Sequence, residues 1–269
     1  MWRFDLSSAT GLVRIGRHAV ERWDGVPGRL EPISTQAVER ANPWDVTSLS
    51  SALERVLSGG SSRARLRVVI ESAWMPVVAV EPGPAWSPNE VQALLRHRFE
   101  SVYRDTAAGI GKWRILSDYR VGDGLALGYA MHPAIDALFD RQAHLPGHRW
   151  ADIVPALAWG LSRLRKPRGV CWLVWPEQDR QLLALVRAGT VIAFNACAEL
   201  EATPARIARQ VAVERVRAGL AADESTIEVG SWTPIEHHDE PALRLRWLGL
   251  ASPQRAPNAA AHIAGGAST

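Results

Sequence analysis

Cysteine, lysine and long apolar runs are all scarce in this chain of 269 residues. The only cysteines, Cys171 and Cys197, are too few for a disulfide framework in a chain of this length, so we expect two buried, reduced thiols. No stretch reaches the roughly 18 consecutive apolar residues that a membrane-spanning helix needs. Residues 1–11 include Arg3 and Asp5 and lack the apolar core of a signal peptide. These absences predict a cytoplasmic protein that does not insert into a membrane.

Lysine occurs only at Lys112 and Lys166, so arginine supplies nearly all of the positive charge. The formal net charge is only +3, the basic residues are scattered, and their densest run, residues 163–168, is short. A nucleic-acid surface needs positive charge clustered on one face, where it follows the phosphate backbone. We therefore expect no nucleic-acid partner.

Motifs that carry nucleotide or nucleophile chemistry are also missing. The glycines at 59 and 60 lack the lysine and hydroxyl residue of a P-loop, and they follow a predicted helix, so they indicate a helix cap and a linker. Gly109 and Gly111 are followed by Arg114 where a dinucleotide fingerprint has its third glycine. No serine lies in a Gly-x-Ser-x-Gly elbow. The sequence thus predicts no catalytic residue and no cofactor.

Two groups of polar residues could in principle hold a metal ion. His144 and His148 flank a Pro-Gly turn without a carboxylate or thiol beside them. Residues 236–240 contain His237 and His238 among three acidic residues, in a predicted loop. Adjacent residues of an extended segment point to opposite sides, so few of them could reach one ion. We predict a solvated loop and no metal, with ligation by His237 and His238 left as the alternative.

Segments with strand-like and helix-like patterns follow one another along the chain, which predicts an α/β protein. Valine-, isoleucine- and leucine-rich runs predict strands, and apolar residues at helical spacing predict helices. Ser87, Pro88 and Glu90 form the pattern of a capping box at a helix start. The predicted strands are residues 12–15, 19–23, 66–71, 76–81, 113–119, 125–131, 170–175, 182–187, 191–196, 226–229 and 243–248. The predicted inward-facing helix residues are Leu49, Ala52, Leu53, Val56, Leu57, Val91, Leu94, Leu95, Phe99, Val102, Ile135, Leu138, Phe139, Ile207, Val211 and Val216, and a further helix is predicted over residues 155–164.

Tryptophan is abundant, with 12 residues against three tyrosines and four phenylalanines. Tryptophan fills cores and is also enriched at the centres of protein interfaces. We expect most of these side chains in the core and the exposed remainder to be candidates for docking a partner. From residue 251 the chain is mostly alanine, proline, glycine, serine and threonine, a composition that predicts a disordered tail.

The order of these elements resembles the actin-like, ribonuclease H-like fold of the PilM and GspL proteins, cytoplasmic platform components of bacterial type IV pili and type II secretion systems. The resemblance is carried by the hairpin of residues 12–23, the elements of residues 66–143, and the hairpin of residues 170–196 with its following helix. It implies a first lobe over residues 1–165 that contains a small α+β subdomain around residues 72–131. It also implies a second lobe over residues 166–250, followed by the tail at 251–269.

In actin-like ATPases the strand-turn-strand loop of each lobe cradles the phosphates, usually with an aspartate followed by glycines. Glycine permits positive φ and lets backbone N–H groups approach phosphate oxygens. Here the turn of residues 14–18 has one glycine, Gly16, and no carboxylate, while the turn of residues 175–180 has no glycine and contains Pro176. Glu177 and Asp179 could bind Mg²⁺, but without an amide cradle they would repel phosphate. The resemblance therefore implies a degenerate nucleotide site.

Three functional hypotheses follow. The first is a non-catalytic scaffold of a pilus or secretion machine that docks to membrane-anchored protein partners and so lies peripherally at the inner membrane. The second is a nucleotide-binding, actin-like ATPase whose phosphate-binding loops are not the two turns of residues 14–18 and 175–180. The third is an enzyme on an unrelated α/β scaffold that uses the polar loop of residues 236–240. The sequence favours the first, because the glycines of a phosphate site are missing from both turns.

Overall fold

The computed structural model describes residues 11–26, 29–39, 44–58, 65–83, 85–103, 109–121, 123–143, 149–164, 169–177, 179–198, 203–220, 225–231 and 245–249. The strands are β1 (Gly11–Ile15), β2 (Ala19–Val26), β3 (Arg29–Ala37), β4 (Arg65–Ile70), β5 (Val77–Val80), β6 (Arg114–Ser117), β7 (Ala126–Met131), β8 (Arg149–Pro155), β9 (Val170–Pro176), β10 (Gln181–Arg187), β11 (Thr190–Cys197), β12 (Ser225–Ser231) and β13 (Leu245–Gly249). The helices are α1 (Thr47–Ser58), α2 (Pro88–Val102), α3 (Pro133–Ala143), α4 (Ala156–Arg163) and α5 (Pro204–Arg217).

Two mixed five-stranded sheets form the two lobes. The first lobe has the strand order β3-β2-β1-β4-β8, and the second has β11-β10-β9-β12-β13. In each sheet the first three strands are antiparallel, and the fourth pairs in parallel with the first, as β4 does with β1 and β12 with β9. The two lobes therefore repeat one topology, although their sequences show no repeat. This architecture confirms the predicted two-lobed α/β fold.

A small third sheet, β5-β7-β6, is covered by α2 and forms the inserted α+β subdomain. Strands β6 and β7, predicted over residues 113–119 and 125–131, pair antiparallel. Helix α2 begins with the predicted capping box, because the Ser87 side chain accepts from the Glu90 N–H and the Glu90 carboxylate accepts from the Ser87 N–H at 2.7 Å. Its buried residues Val91, Leu95 and Phe99 pack on the sheet.

One continuous apolar core joins the two lobes. It contains the buried faces of β1, β4, α1, α3 and α4 from the first lobe, and Cys171, Leu173 and Trp175 of β9 from the second. A separate core lies beneath α5, where Ile207 and Val211 pack on the other face of the second sheet. The shared core means that the lobes are packed against each other through buried side chains as well as through surface contacts.

Most predictions agree with the structure, with five exceptions, and one of them is Cys197, which is partly buried where a buried thiol was expected. Strands β3 and β8 are absent from the prediction. Val102 and Val216, predicted to face inward, are 50% and 79% exposed. Val102 is the last residue of α2, and at Val216 the buried stripe of α5 continues through Glu214 instead. The glycines at 59 and 60, His144, His148, residues 236–240 and the tail lie outside the described residues.

The tryptophans are mainly core residues, as predicted. Trp23, Trp74, Trp113, Trp159, Trp172 and Trp175 are buried, and Trp44 and Trp150 are partly buried against the core. Among the tryptophans whose side chains are described, Trp86 is exposed. Within the described residues, no helix is long and apolar enough to cross a membrane.

Candidate functional site

The turn between β1 and β2 is held by residues that follow β4. Glu71 is fully buried, and its carboxylate accepts from Arg14 Nε at 2.9 Å and from the Arg17 backbone N–H at 3.3 Å. Trp74 Nε1 donates to the Gly16 carbonyl at 2.8 Å. Within the turn, the Gly16 N–H donates to the Ala19 carbonyl at 2.9 Å. The turn is thus rigid, and two of its amides are already bonded inside the protein.

The turn between β9 and β10 lies opposite the first. The Glu177 N–H donates to the Arg180 carbonyl at 2.8 Å, which closes this turn upon itself. Pro176, just before it, has no N–H to offer. The Asp179 carboxylate accepts from Arg180 Nε at 3.1 Å and Nη2 at 2.9 Å.

Side chains of the two turns bridge the space between the lobes. Arg17 of the first turn forms an ion pair with Asp179 of the second. Glu177 Oε1 accepts from the Ser72 N–H at 2.9 Å, and Glu177 Oε2 hydrogen-bonds to the Ser72 hydroxyl. Glu71 and Ser72 were missed as site residues by sequence reasoning. The one sequence feature that could have indicated these two residues is their position, because a carboxylate and a hydroxyl directly follow the buried strand β4.

Burial and the repulsion between neighbouring carboxylates determine which of these side chains are charged. Desolvation and the negative charge of Glu71 raise the pKa of Glu177 to about 8, despite hydrogen bonds from Ser72. Desolvation also raises the pKa of Glu71, and the charge of Arg14 only partly offsets it. Desolvation pushes the pKa of Asp179 upward, but the hydrogen bond and charge of Arg180 and the charge of Arg17 outweigh it, so that pKa is lowered. At neutral pH we therefore expect Glu177 to be protonated beside an ionised Asp179.

Phosphate binding by these turns would depend on their backbone N–H groups. Phosphate loops work by presenting unpaired backbone N–H groups, often in glycines, to the anion. Here the N–H groups of Gly16, Arg17 and Glu177 are bonded to protein acceptors, and the space between the lobes holds carboxylates. The cations Arg14, Arg17 and Arg180 pair with those carboxylates. The geometry forms a cross-lobe bridge that is satisfied by its own side chains.

Trp175 fills the space behind the second turn. Its buried ring packs against the backbone of Gly160 in α4, where an added Cβ would lie 2.5 Å from Trp175 Cε3. The same ring lies against Gly230 of β12, which also leaves no room for a side chain. Both glycines are therefore explained by the tryptophan that they contact.

A cavity of about 420 Å³ lies elsewhere, between the β6–β7 connection, the end of α4 and the β10–β11 turn. Asp118, Asp123 and Arg120 supply its charged wall, and the rest consists of leucines, valines, alanines, Gly189, Ser162 and Thr190. Desolvation raises the pKa of Asp118. No residue of the two bridged turns lines this cavity. In the described part of the chain, no group of three or more His, Cys, Asp or Glu side chains could hold a metal ion.

Solved structures similar to this one have the actin-like fold. A Bacteroides thetaiotaomicron protein with an actin-like ATPase fold and unknown function is 10% identical, with 92% of this chain and 94% of that chain covered and a TM-score of 0.56. A PilM–PilN type IV pilus biogenesis complex is 15% identical, with 91% and 89% covered and a TM-score of 0.54. The cytoplasmic domain of EpsL, from the type II secretion system of Vibrio cholerae, is 12% identical over 89% and 87%, with a TM-score of 0.47.

No protein-family model matches the chain, and no curated protein matches it significantly in sequence. At identities of 10% and 15% the structural similarity concerns the fold alone. The repeated lobe topology and the inserted subdomain agree with that similarity. The chain therefore has the actin-like fold.

Proposed function

We propose that this protein is a non-catalytic, actin-like scaffold of a bacterial pilus or secretion machine, which docks in the cytoplasm to membrane-anchored protein partners. The observation that carries the proposal is the cross-lobe bridge, defined as Arg17, Glu71, Ser72, Glu177 and Asp179. It occupies the place where the two turns of an actin-like ATPase would hold phosphates, and it bonds the turn amides internally. A similar structure, the PilM–PilN complex, supports the choice of machine.

The first test is nucleotide binding by the intact chain. We expect no change in melting temperature with millimolar Mg-ATP. If ATP bound, a concentration 100 times its dissociation constant would add about 2.7 kcal/mol. For a protein of this size, each 1 kcal/mol corresponds to about 2–4 °C. An actin-like ATPase measured in parallel provides the positive control.

A bridge-opening variant sharpens this test. In Asp179→Ala the ion pair between the lobes is removed, but Gly16, Arg17 and Glu177 keep their internally bonded amides. We expect this variant to remain unresponsive to Mg-ATP. A shift of several degrees with Mg-ATP in either protein, absent with magnesium chloride alone, would refute the proposal and favour the ATPase hypothesis.

The docking role makes a second prediction about membranes. Because the proposed scaffold docks to membrane-anchored proteins, we expect its association with a membrane to require a protein partner. We expect the purified chain to sediment with membranes from its own host and not with the same membranes after mild trypsin treatment. Retention on trypsin-treated membranes would contradict docking through a protein. Failure to sediment with intact membranes would contradict a membrane-anchored partner.

A further inference from the structure

Strand β11 lies at a sheet edge and lacks the charges and prolines that usually protect such an edge from pairing. The two large sheets have four edge strands, β3, β8, β11 and β13. Edge strands normally carry charges or proline, which oppose pairing with another chain. Pro32 lies in β3, Pro155 lies in β8, and Arg246 lies in β13, but the sequence of β11, TVIAFNAC, has neither a charge nor a proline.

The open side of β11 follows from its hydrogen bonds. Among the described residues, no strand other than β10 pairs with β11. The Ala196 N–H points away from β10 and donates to the side-chain oxygen of Asn195 at 2.8 Å, in an exposed bond that an added strand would replace. Backbone direction alternates along a strand, so the N–H and C=O of Phe194 also point outward. Ile192 is the extra residue of a bulge, so the regular open edge runs from Ala193 to Cys197.

Helix α5 forms a wall beside this edge. The Glu214 carboxylate accepts from Asn195 of β11 at 2.8 Å, from Gln210 at 3.4 Å and from Arg217 at 2.7 Å. These bonds turn one side of α5 toward β11. Residues spaced by four, three and four share that side of a helix. The resulting α5 ridge consists of Arg206, Gln210, Val213 and Arg217.

The α5 ridge has an apolar middle and basic ends. Val213 is 44% exposed, and the Arg217 side chain is 65% exposed. Across the whole of α5 there are four arginines and one acidic residue, Glu214. A strand added to β11 would therefore lie in a corner lined by main-chain hydrogen-bonding groups below and by positive charge and valine at the side.

We propose that an extended, acidic segment of a partner protein adds as a strand to β11 and lies along the α5 ridge. In strand addition, main-chain bonds supply affinity and alternate side chains supply specificity. Charge favours an acidic partner segment over a second copy of this chain as the occupant. A twofold pairing of β11 keeps both α5 helices on one face of the joined sheet, where Arg206 and Arg217 of each copy would face those of the other.

The test uses a synthetic peptide of alternating valine and glutamate, eight residues long like β11, and a matched peptide with lysine in place of glutamate. We expect the full chain to bind the acidic peptide at least about tenfold more tightly in fluorescence anisotropy, because only that peptide complements the arginines. Hydrogen exchange should show added protection within residues 193–197. Light scattering should show a monomer without peptide.

Substitutions test whether the peptide binds at the edge of β11 or is attracted only by positive charge in general. Arg217→Glu should weaken the acidic peptide about tenfold, whereas Arg217→Lys and the exposed Arg98→Glu on α2 should not. Ala196→Pro should abolish binding while keeping the fold, because its N–H makes no bond to β10. Equal binding of the two peptides, protection outside β11, or an unaffected Ala196→Pro variant would overturn the proposal. A dimer disrupted by Ala196→Pro would identify a second copy as the occupant.

This inference rests on the proposed docking role, but the two fail separately. The peptide assay does not involve the cross-lobe bridge. ATP binding with normal peptide binding would refute only the scaffold proposal. Absence of peptide binding in a chain that also ignores ATP would refute only the β11 site.

Discussion

The Glu177→Gln variant is expected to keep its stability as the pH rises from acidic to mildly alkaline values, whereas the parent protein is expected to lose stability over the same range. The pKa of Glu177 is raised from 4.5 to about 8 in the folded protein. Between these values the folded state holds a proton that the unfolded state has lost. The free energy of unfolding therefore falls with rising pH across this window, and the loss is complete above about pH 8. Glutamine cannot ionise, so the variant should lack this slope.

The measurement is urea denaturation at a series of pH values. We expect the variant to exceed the parent protein by a few kcal/mol at pH 9 and to match it well below pH 4.5, where Glu177 is protonated in both states. Glutamine keeps the shape needed to bond Ser72, so the comparison isolates charge. The exposed Glu100→Gln on α2 serves as the matched control and should follow the parent protein. Parallel curves for Glu177→Gln and the parent protein would show that Glu177 is not a buried, proton-holding group.

Gly160→Ala is expected to destabilise the protein although alanine is the better helix former. In α4 the exchange should gain about 1 kcal/mol from helix propensity. The added methyl, however, would lie 2.5 Å from Trp175 Cε3 and 3.2 Å from Leu173 Cδ2, both in the buried core. Overpacking of this kind costs about 1–3 kcal/mol. We expect a net loss of up to about 2 kcal/mol, measured as a lower melting temperature and denaturation midpoint.

A second substitution identifies the cause. Trp175→Phe removes the ring atoms that the new methyl meets, so the Gly160→Ala change should cost less in the Trp175→Phe background than alone. Gly111→Ala is the control, because an added Cβ there meets open space. Stabilisation by Gly160→Ala would mean that the ring moves aside easily and that the lobes are loosely packed at this point.

The sequence predicted most strands and helices because their apolar spacing is regular. It missed β3 and β8, where charges and prolines interrupt that spacing. In β8, Asp152 is acceptable because Arg67 of β4 bonds to it from within the sheet, at 2.5 Å between Arg67 Nε and Asp152 Oδ1. A partly buried ion pair between residues 67 and 152 cannot be recognised from local spacing. The same limit applies to α5, where Glu214 takes a buried position because Asn195 bonds to it.

The sequence shows which residues the two turns contain but not what those residues contact. The missing glycines and Pro176 are local facts, and poor phosphate binding stays a prediction that rests on them. That Arg17 would pair with Asp179, and Ser72 with Glu177, depends on the fold bringing together residues separated by 162 and 105 positions. The rise in the pKa of Glu177 depends likewise on its burial beside Glu71. Sequence spacing carries no information on either.

The apolar core shared by the lobes has a mechanical consequence. Proteins that open and close around a cofactor need an interface between their halves that can be exposed at a low cost in free energy. Here separation would bring the Trp175 ring and its neighbours into water, at a cost that rises with every apolar surface uncovered. Two partners held by different lobes would therefore stay at a constant distance and angle.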